Sequence, residues 1–128
     1  MCSPSLVHPN QHSISTNFQW VTMPVVTYEE CGQAPYQWSY GIDLSEDMIC
    51  AGGSGGGGED TCRGDSGGPL VVPKSSNDDT AVVIGATSFG ARLELSPLGD
   101  LIKGCGKENY PGVFASVTSH LSWILSNI

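Results

Sequence analysis

One short segment of the sequence combines the residue types that acyl-transfer chemistry needs. Residues 60–70 read DTCRGDSGGPL. Their glycines and proline predict a tight turn and disfavour a helix or a strand interior. Such a turn can hold the Ser66 hydroxyl outward while neighbouring backbone N–H groups point at one spot, which is the arrangement of a serine nucleophile beside an oxyanion site. Asp60 and Asp65 place two carboxylates in the same compact segment.

The composition indicates what kind of domain must position this turn. The chain has 128 residues, enough for one domain with one hydrophobic core. Charged residues make up only 14% of the chain, whereas glycine occurs 17 times and proline 8 times. Glycine and proline favour turns and disfavour helix interiors, so this composition predicts many turns and few long helices. We therefore expect an all-β domain built from short strands.

The net charge narrows the range of partners. Thirteen acidic residues against five basic ones give a net charge of −8 at pH 7. That charge argues against nucleic acid or an anionic membrane as a partner. A cationic substrate is compatible with it, and so is an ordinary acidic surface. No apolar run reaches the ~18 residues of a membrane span.

The cysteine content indicates an oxidising compartment, because five cysteines are many for a chain of this size. Their odd number leaves at least one unpaired within the chain. The first residues, MCSPSL, have neither the basic start nor the apolar stretch of a signal peptide. We expect the full-length protein to be extracellular, with a signal peptide that this sequence does not contain.

Local patterns predict several strands and two helical segments around the turn. Thr27, followed three residues later by Glu30, predicts a capped helical turn over 28–33, and Thr118 is expected to cap a C-terminal helix over 119–127. Runs of β-forming residues predict strands at 18–26, 47–52, 69–72, 81–89 and 112–117. Residues 91–103 form a mixed segment that we interpret as an insertion.

Two patterns that suggest cofactors have simpler explanations. His8 and His12 lie four residues apart, but Pro9 separates them and no acidic or cysteine ligand accompanies them, so no metal is expected. Residues 53–58 satisfy the dinucleotide pattern GxGxxG, yet no apolar helix follows that could direct its N-terminus at a phosphate. A flexible glycine loop explains them better, and no cofactor is predicted.

The segment 60–70 resembles the active-serine segment of the chymotrypsin-like (trypsin-type) serine proteases. Further segments resemble that family in the same order along the chain: 23–26, 28–31, 48–52, 87–90, 104–106, 110–114 and 123–124. The resemblance implies an all-β fold, a trypsin-like antiparallel β-barrel with a C-terminal α-helix. It assigns residues 18–128 to the family's second barrel, without that barrel's first strand, and leaves 1–17 as an irregular N-terminal segment.

The same resemblance implies roles for residues of the turn. Ser66 would be the nucleophile, and the N–H groups of Gly64 and Ser66 would form the oxyanion hole. Asp60 occupies the position of the acid at the base of the primary specificity pocket, where a carboxylate selects Arg or Lys before the cut. The alternative for Asp60 is a solvated loop acid. Asp65 would pair with an N-terminal amine created by zymogen cleavage, although this sequence contains no activation site.

The walls of the pocket are assigned in the same way. Gly90 and Gly112 would leave the pocket mouth open to a long side chain. Ser88, Phe89 and Gly90 would line the edge along which the substrate backbone pairs as an added strand. Phe89 stands where these enzymes commonly have tryptophan, which implies a narrower subsite; the alternative is that Phe89 is an ordinary core residue.

The resemblance also implies the disulfides. It pairs Cys31 with Cys50 and Cys62 with Cys105, and it leaves Cys2 without a partner.

The family's catalytic histidine and aspartate have no counterpart in this sequence. Both precede the serine in this family, but His8 has the wrong neighbours, and His120 is expected to lie exposed near a helix cap. The resemblance therefore implies the C-terminal portion of a serine endopeptidase that cleaves polypeptides after Arg or Lys. Without the missing N-terminal barrel we expect the portion to be inactive. The alternative function is a non-catalytic module that binds basic peptides through Asp60.

Overall fold

The computed structural model describes residues 17–33, 43–53, 59–75, 80–90, 94–95, 101–102, 105–106 and 108–128. The strands in these ranges are β1 Val25–Val26, β2 Met48–Ala51, β3 Pro69–Pro73, β4 Ala81–Phe89, β5 Glu94–Leu95, β6 Leu101–Ile102 and β7 Gly112–Ser116. The helices are α1 Tyr28–Gly32 and α2 Val117–Ser126. The predicted all-β class with a C-terminal helix is confirmed.

Five of the strands form one antiparallel sheet, as expected from the antiparallel barrel that the resemblance implied. Its strand order is β1-β2-β7-β4-β3, while β5 and β6 pair separately with each other. The register between β4 and β7 shifts between Thr87 and Phe89, so Ser88 is an extra residue on β4. A bulge redirects a strand and is often found beside a functional site. This bulge lies at the end of β4 that carries the predicted substrate edge.

The hydrophobic core lies on both faces of the central strand β7. Val113 and Phe114 are consecutive residues with exposed fractions of 0% and 1%. Consecutive strand residues point to opposite faces, and accordingly Val113 belongs to one core cluster and Phe114 to another. Gly85 on β4 makes room for Phe114, because a Cβ there would lie 3.1 Å from the Phe114 Cβ.

The helical turn α1 follows the predicted capping box. The Thr27 hydroxyl accepts the Glu30 N–H at 3.2 Å, and Glu30 Oε2 accepts the Thr27 N–H at 3.1 Å. The strand predicted for residues 18–26 is wrong in extent, because only Val25–Val26 pairs as a strand. Pro24 has no N–H that could donate to the hydrogen-bond ladder of the sheet. Its carbonyl still accepts the Gly52 N–H at 2.9 Å.

The C-terminal helix α2 begins two residues earlier than predicted. Its N-cap is Ser116, whose hydroxyl accepts the Ser119 N–H at 3.4 Å, so the prediction that Thr118 is the cap is wrong. The Ser116 N–H donates to the Asp47 carbonyl at 2.8 Å. Ser116 has an extended backbone and is the last residue of β7, and the helix begins at the next residue. None of the residues of α2 is buried; Leu121 and Leu125 are 46% and 61% exposed.

Several predictions concern residues outside the described ranges. These residues are positions 1–16 of the irregular segment 1–17, with Cys2, His8 and His12, the glycine loop 54–58, and all of the insertion 91–103 except 94–95 and 101–102. Neither of the two described helices combines the length and apolar character needed to cross a membrane. Within the described ranges no three His, Cys, Asp or Glu side chains gather as ligands of a metal ion would.

Candidate active site

The segment around Ser66 folds as the tight turn that its glycines predicted. The Asp65 N–H donates to the Cys62 carbonyl at 3.1 Å, and the Gly68 N–H donates to the Asp65 carbonyl at 2.8 Å. Gly64 and Gly67 have φ angles of 101° and 80°, which side chains disfavour. The turn leaves the Ser66 side chain exposed to solvent.

Asp65 stabilises this turn from within. Its Oδ2 accepts the Cys62 N–H at 2.8 Å, so the side chain and the backbone of Asp65 both bond to Cys62. This contact is local to the turn, whereas the resemblance implied a partner amine from elsewhere in the protein.

Thr87 on β4 holds the far end of the turn. The Gly67 N–H donates to the Thr87 carbonyl at 2.9 Å, and the Thr87 N–H donates to the Gly68 carbonyl at 2.8 Å. The Thr87 hydroxyl reaches the same Gly68 carbonyl at 3.1 Å. Three hydrogen bonds therefore fix the two residues that follow Ser66 to a strand of the main sheet.

The two predicted oxyanion donors are available within this turn. Neither the Gly64 N–H nor the Ser66 N–H donates a hydrogen bond to any residue in the described part of the chain. Both lie in an exposed, conformationally fixed turn. Preorganised N–H donors of this kind stabilise an oxyanion at little reorganisation cost.

Asp60 is the buried acid of the site. Its exposed fraction is 4%, so the alternative of a solvated loop acid is wrong. Oδ1 accepts the Thr61 N–H at 2.7 Å and Oδ2 accepts the Gly106 N–H at 3.0 Å. Burial raises the pKa of Asp60 above its ordinary value; the two amide hydrogen bonds oppose this rise, and the charge of Asp65 adds to it.

The two predicted pocket glycines lie against the Asp60 carboxylate. A Cβ on Gly112 would lie 2.9 Å from Asp60 Oδ1, and a Cβ on Gly90 would lie 3.9 Å from both carboxylate oxygens. Gly90 directly follows β4 and is three residues after Thr87, a span of about 10 Å in an extended chain. The end of β4 and the residue after it thus connect the Ser66 turn, through Thr87, to the Asp60 carboxylate, through Gly90.

The remaining predicted residues of the substrate edge differ in burial. Ser88, the bulged residue, is exposed. Phe89 is half-buried and packs against the core cluster that contains Cys31, Leu44, Cys50 and Val113.

Both predicted disulfides are present: Cys31 is bonded to Cys50, and Cys62 to Cys105. The first bridge is part of the core beside α1 and β2. The second lies beside Asp60, because Cys62 follows Thr61 and Cys105 precedes Gly106, the two residues that donate to the carboxylate.

His120 lies outside this site, as the sequence predicted. It is exposed in the first turn of α2, with Nδ1 at 2.8 Å from the Ser116 carbonyl oxygen and Nε2 at 3.9 Å from Asp47 Oδ2. No hydrogen bond joins it to Ser66 among the described residues.

Comparison with known proteins decides which family has this site. The family model described as "Trypsin" matches residues 6–124. The chain belongs to the trypsin family. Among curated trypsin-family relatives, trypsin delta of Drosophila erecta is 36% identical over 116 residues, which cover 91% of this chain. Trypsin Tyr p 3.0101 of Tyrophagus putrescentiae is 35% identical over 118 residues, which cover 92% of it. The chain spans only 36% and 34% of the lengths of these two relatives.

Two residues of this trypsin-family site were not identified from the sequence. Thr87 stands next to the predicted Ser88, and the available signals were its position in a strongly strand-like run and in the segment 87–90 that resembles the family. Gly106 stands next to a predicted disulfide cysteine. Its contact with Asp60 spans 46 residues, and no local pattern indicates a contact of that range.

Proposed function

We propose that this chain carries the nucleophile and the specificity pocket of a secreted serine endopeptidase that cleaves polypeptides after Arg or Lys. The observation that carries this proposal is that the end of β4 and the following Gly90 connect an ordered Ser66 turn to a buried carboxylate flanked by two glycines. A hydroxyl beside two N–H groups that bond to no residue in the described part of the chain suits acyl transfer. A buried, hydrogen-bonded carboxylate in a space without side chains suits a guanidinium or an ammonium group.

Ser66 needs a base that the described residues do not provide. A serine hydroxyl is a weak nucleophile until an adjacent histidine accepts its proton and an aspartate orients that histidine. We propose that a histidine and an aspartate from the missing N-terminal barrel supply these roles. Loss of the serine or histidine alone lowers the turnover of a serine protease about 10⁶-fold, so the isolated chain is expected to be inactive.

The test compares the isolated chain with a longer protein that also includes the sequence encoded upstream of Met1 in the messenger RNA. The isolated chain is expected neither to cleave an arginyl ester nor to react with a fluorophosphonate at Ser66. The longer product is expected to hydrolyse arginyl and lysyl esters, to lose this activity in Ser66→Ala, and to lose its Arg/Lys preference in Asp60→Ser.

Two results would count against this function. Labelling of Ser66 in the isolated chain would mean that another group in this chain activates the serine. An upstream sequence without a histidine segment, together with stoichiometric binding of basic peptides that remain uncut, would favour the non-catalytic binding module.

A further inference from the structure

We propose that His120 and Asp47 form a surface site for a divalent transition-metal ion such as Zn²⁺. The two residues lie where the start of α2 meets the turn at residues 45–47, directly before β2. This pair lies outside the site at Ser66, and the inference is independent of the proposed function. The chain supplies two ligands, and water completes the coordination of the ion.

The His120 ring is oriented so that one of its nitrogens presents a lone pair. Nδ1 lies 2.8 Å from the Ser116 carbonyl oxygen. A carbonyl oxygen can only accept a hydrogen bond, so Nδ1 carries the proton. A neutral imidazole has a single N–H, which leaves a lone pair on Nε2. Histidines that bind metals commonly donate their other ring N–H to a backbone carbonyl in this way.

The Asp47 carboxylate lies next to that lone pair. The distance from His120 Nε2 to Asp47 Oδ2 is 3.9 Å. This exceeds the length of about 2.7–3.2 Å that a hydrogen bond between nitrogen and oxygen has, so a proton on Nε2 does not bridge the two atoms. Zinc forms bonds of about 2.0–2.2 Å to imidazole nitrogen and to carboxylate oxygen. One metal ion therefore spans the gap that a proton leaves open.

Hydrogen bonds hold both ligands in place. The Ser45 hydroxyl donates to Asp47 Oδ1, which leaves Oδ2 on the side of the histidine. The Asp47 carbonyl accepts the Ser116 N–H at 2.8 Å, and the Glu46 carbonyl accepts the Ser119 hydroxyl at 3.1 Å. These bonds connect the turn to the start of α2. Metal ligands are commonly oriented by such outer hydrogen bonds.

The ligand types favour a transition metal over Mg²⁺ or Ca²⁺. Imidazole suits Zn²⁺, Cu²⁺ and Ni²⁺, whereas Mg²⁺ and Ca²⁺ bind to oxygen ligands. The side chains of His120 and Asp47 are 45% and 50% exposed, so a hydrated ion can approach both from solvent. Two protein ligands are fewer than the four of a structural zinc site. We therefore expect binding weaker than at a structural site, and tighter for Cu²⁺ than for Zn²⁺.

The test requires a chain in which His120 is the only imidazole. The sequence contains three histidines, and Cys2 lies outside the two disulfides. The reference chain therefore combines His8→Gln, His12→Gln and Cys2→Ser. It is titrated with Zn²⁺ alone and followed by ¹⁵N NMR of the ring nitrogens. We expect a saturable change at Nε2 while Nδ1 keeps its proton. A trace of Cu²⁺ should broaden the amide resonances of Asp47 and His120.

Asp47→Asn in the reference chain isolates the contribution of the carboxylate. Asparagine keeps the size of the side chain and an oxygen that accepts the Ser45 hydroxyl, but it removes the charge. We expect the affinity for Zn²⁺ to fall by about tenfold or more, the size of effect that changes around metal ligands commonly have. The matched control is Asp43→Asn, which removes the same charge from another exposed position and should change the affinity little.

Two results would overturn the site. If millimolar Zn²⁺ gives no saturable change at Nε2, His120 is not a ligand. If Asp47→Asn binds Zn²⁺ as tightly as the reference chain, His120 acts alone and the pair is not the site. An unchanged Ser116 amide resonance shows that each variant keeps the junction between the turn and α2. None of these measurements involves Ser66, so their outcome leaves the proposed function untouched.

Discussion

Asp60 and the two glycines beside it determine the chemistry of the site at the scale of single residues. Water is largely excluded from the carboxylate, so its ionised form depends on two amide hydrogen bonds. Gly90 and Gly112 matter because a side chain at either position would lie against the carboxylate. The charge state of Asp60 and the space around it can be tested independently.

The pH dependence of stability reports the charge state of Asp60. Its pKa is raised in the folded chain, whereas the unfolded value is ~3.9. Between these two pH values the folded state binds the proton more tightly, so the contribution of Asp60 to stability falls as pH rises and is constant above the folded pKa. Asp60→Asn lacks this titration. Its unfolding free energy minus that of the natural chain should therefore increase with pH across this window, as measured by urea unfolding at several pH values. A decrease over the same window would mean that the folded pKa is lowered.

Alanine at the two pocket glycines should give unequal results. In Gly112→Ala the new Cβ would lie 2.9 Å from Asp60 Oδ1 and 3.4 Å from Phe114 Cε2, whereas in Gly90→Ala it would make ordinary contacts at 3.9 Å. We expect Gly112→Ala to lower the unfolding free energy by about 1–3 kcal/mol, as overpacking does, and Gly90→Ala to change it little. Equal stabilities of the two variants in urea unfolding would contradict this description of the pocket.

At the scale of elements, the site depends on the hydrogen bonds and disulfides that connect strands to loops. β4 contributes Thr87 to the serine turn, and Gly90, the residue directly after β4, lies beside the carboxylate; the bulge at Ser88 lies between them. The Cys62–Cys105 bridge joins the serine turn to the segment that carries Gly106. The Cys31–Cys50 bridge joins α1 to β2 inside the core.

The two bridges should differ in their contribution to stability. They close loops of 43 and 19 residues, for which loop-closure entropy gives about 4 and 3 kcal/mol. We expect Cys62→Ser/Cys105→Ser to lower the unfolding free energy by about 1 kcal/mol more than Cys31→Ser/Cys50→Ser, measured by denaturant unfolding. The reverse order would show that burial of Cys31 and Cys50 outweighs loop length.

At the scale of the whole molecule, sequence patterns predicted the structural features that are determined by residues close together in the chain. The cap of α1 lies within four residues, and the strand over residues 81–89 follows from one apolar run. The cap of α2 was mispredicted because Ser116 and Thr118 are both favourable N-cap residues, and the local pattern does not reveal the backbone bond from Ser116 to Asp47, which lies far away in sequence. For the same reason, the Thr87 contacts with the serine turn and the Gly106 contact with Asp60 required the folded structure. The pairing of the cysteines and the role of Asp60 came from family resemblance, since the chain's own spacing does not specify them.

The net charge of −8 gives the whole molecule an attraction for cations that is independent of the pocket. A test of specificity must therefore separate Asp60 from this general field. A neutral probe of similar length and a variant that removes only one carboxylate provide that separation.

The most direct test of the central claim is an NMR titration of the isolated chain with N-acetylarginine amide and with N-acetylnorleucine amide. The arginine probe should shift the amide resonances of Thr61, Gly106 and Gly112 in a saturable way, and the norleucine probe should not. Asp60→Ser should abolish the response to arginine while the Ser66 turn keeps its resonances. An arginine response that persists in Asp60→Ser, or an equal response to norleucine, would contradict a cation-selecting pocket at Asp60.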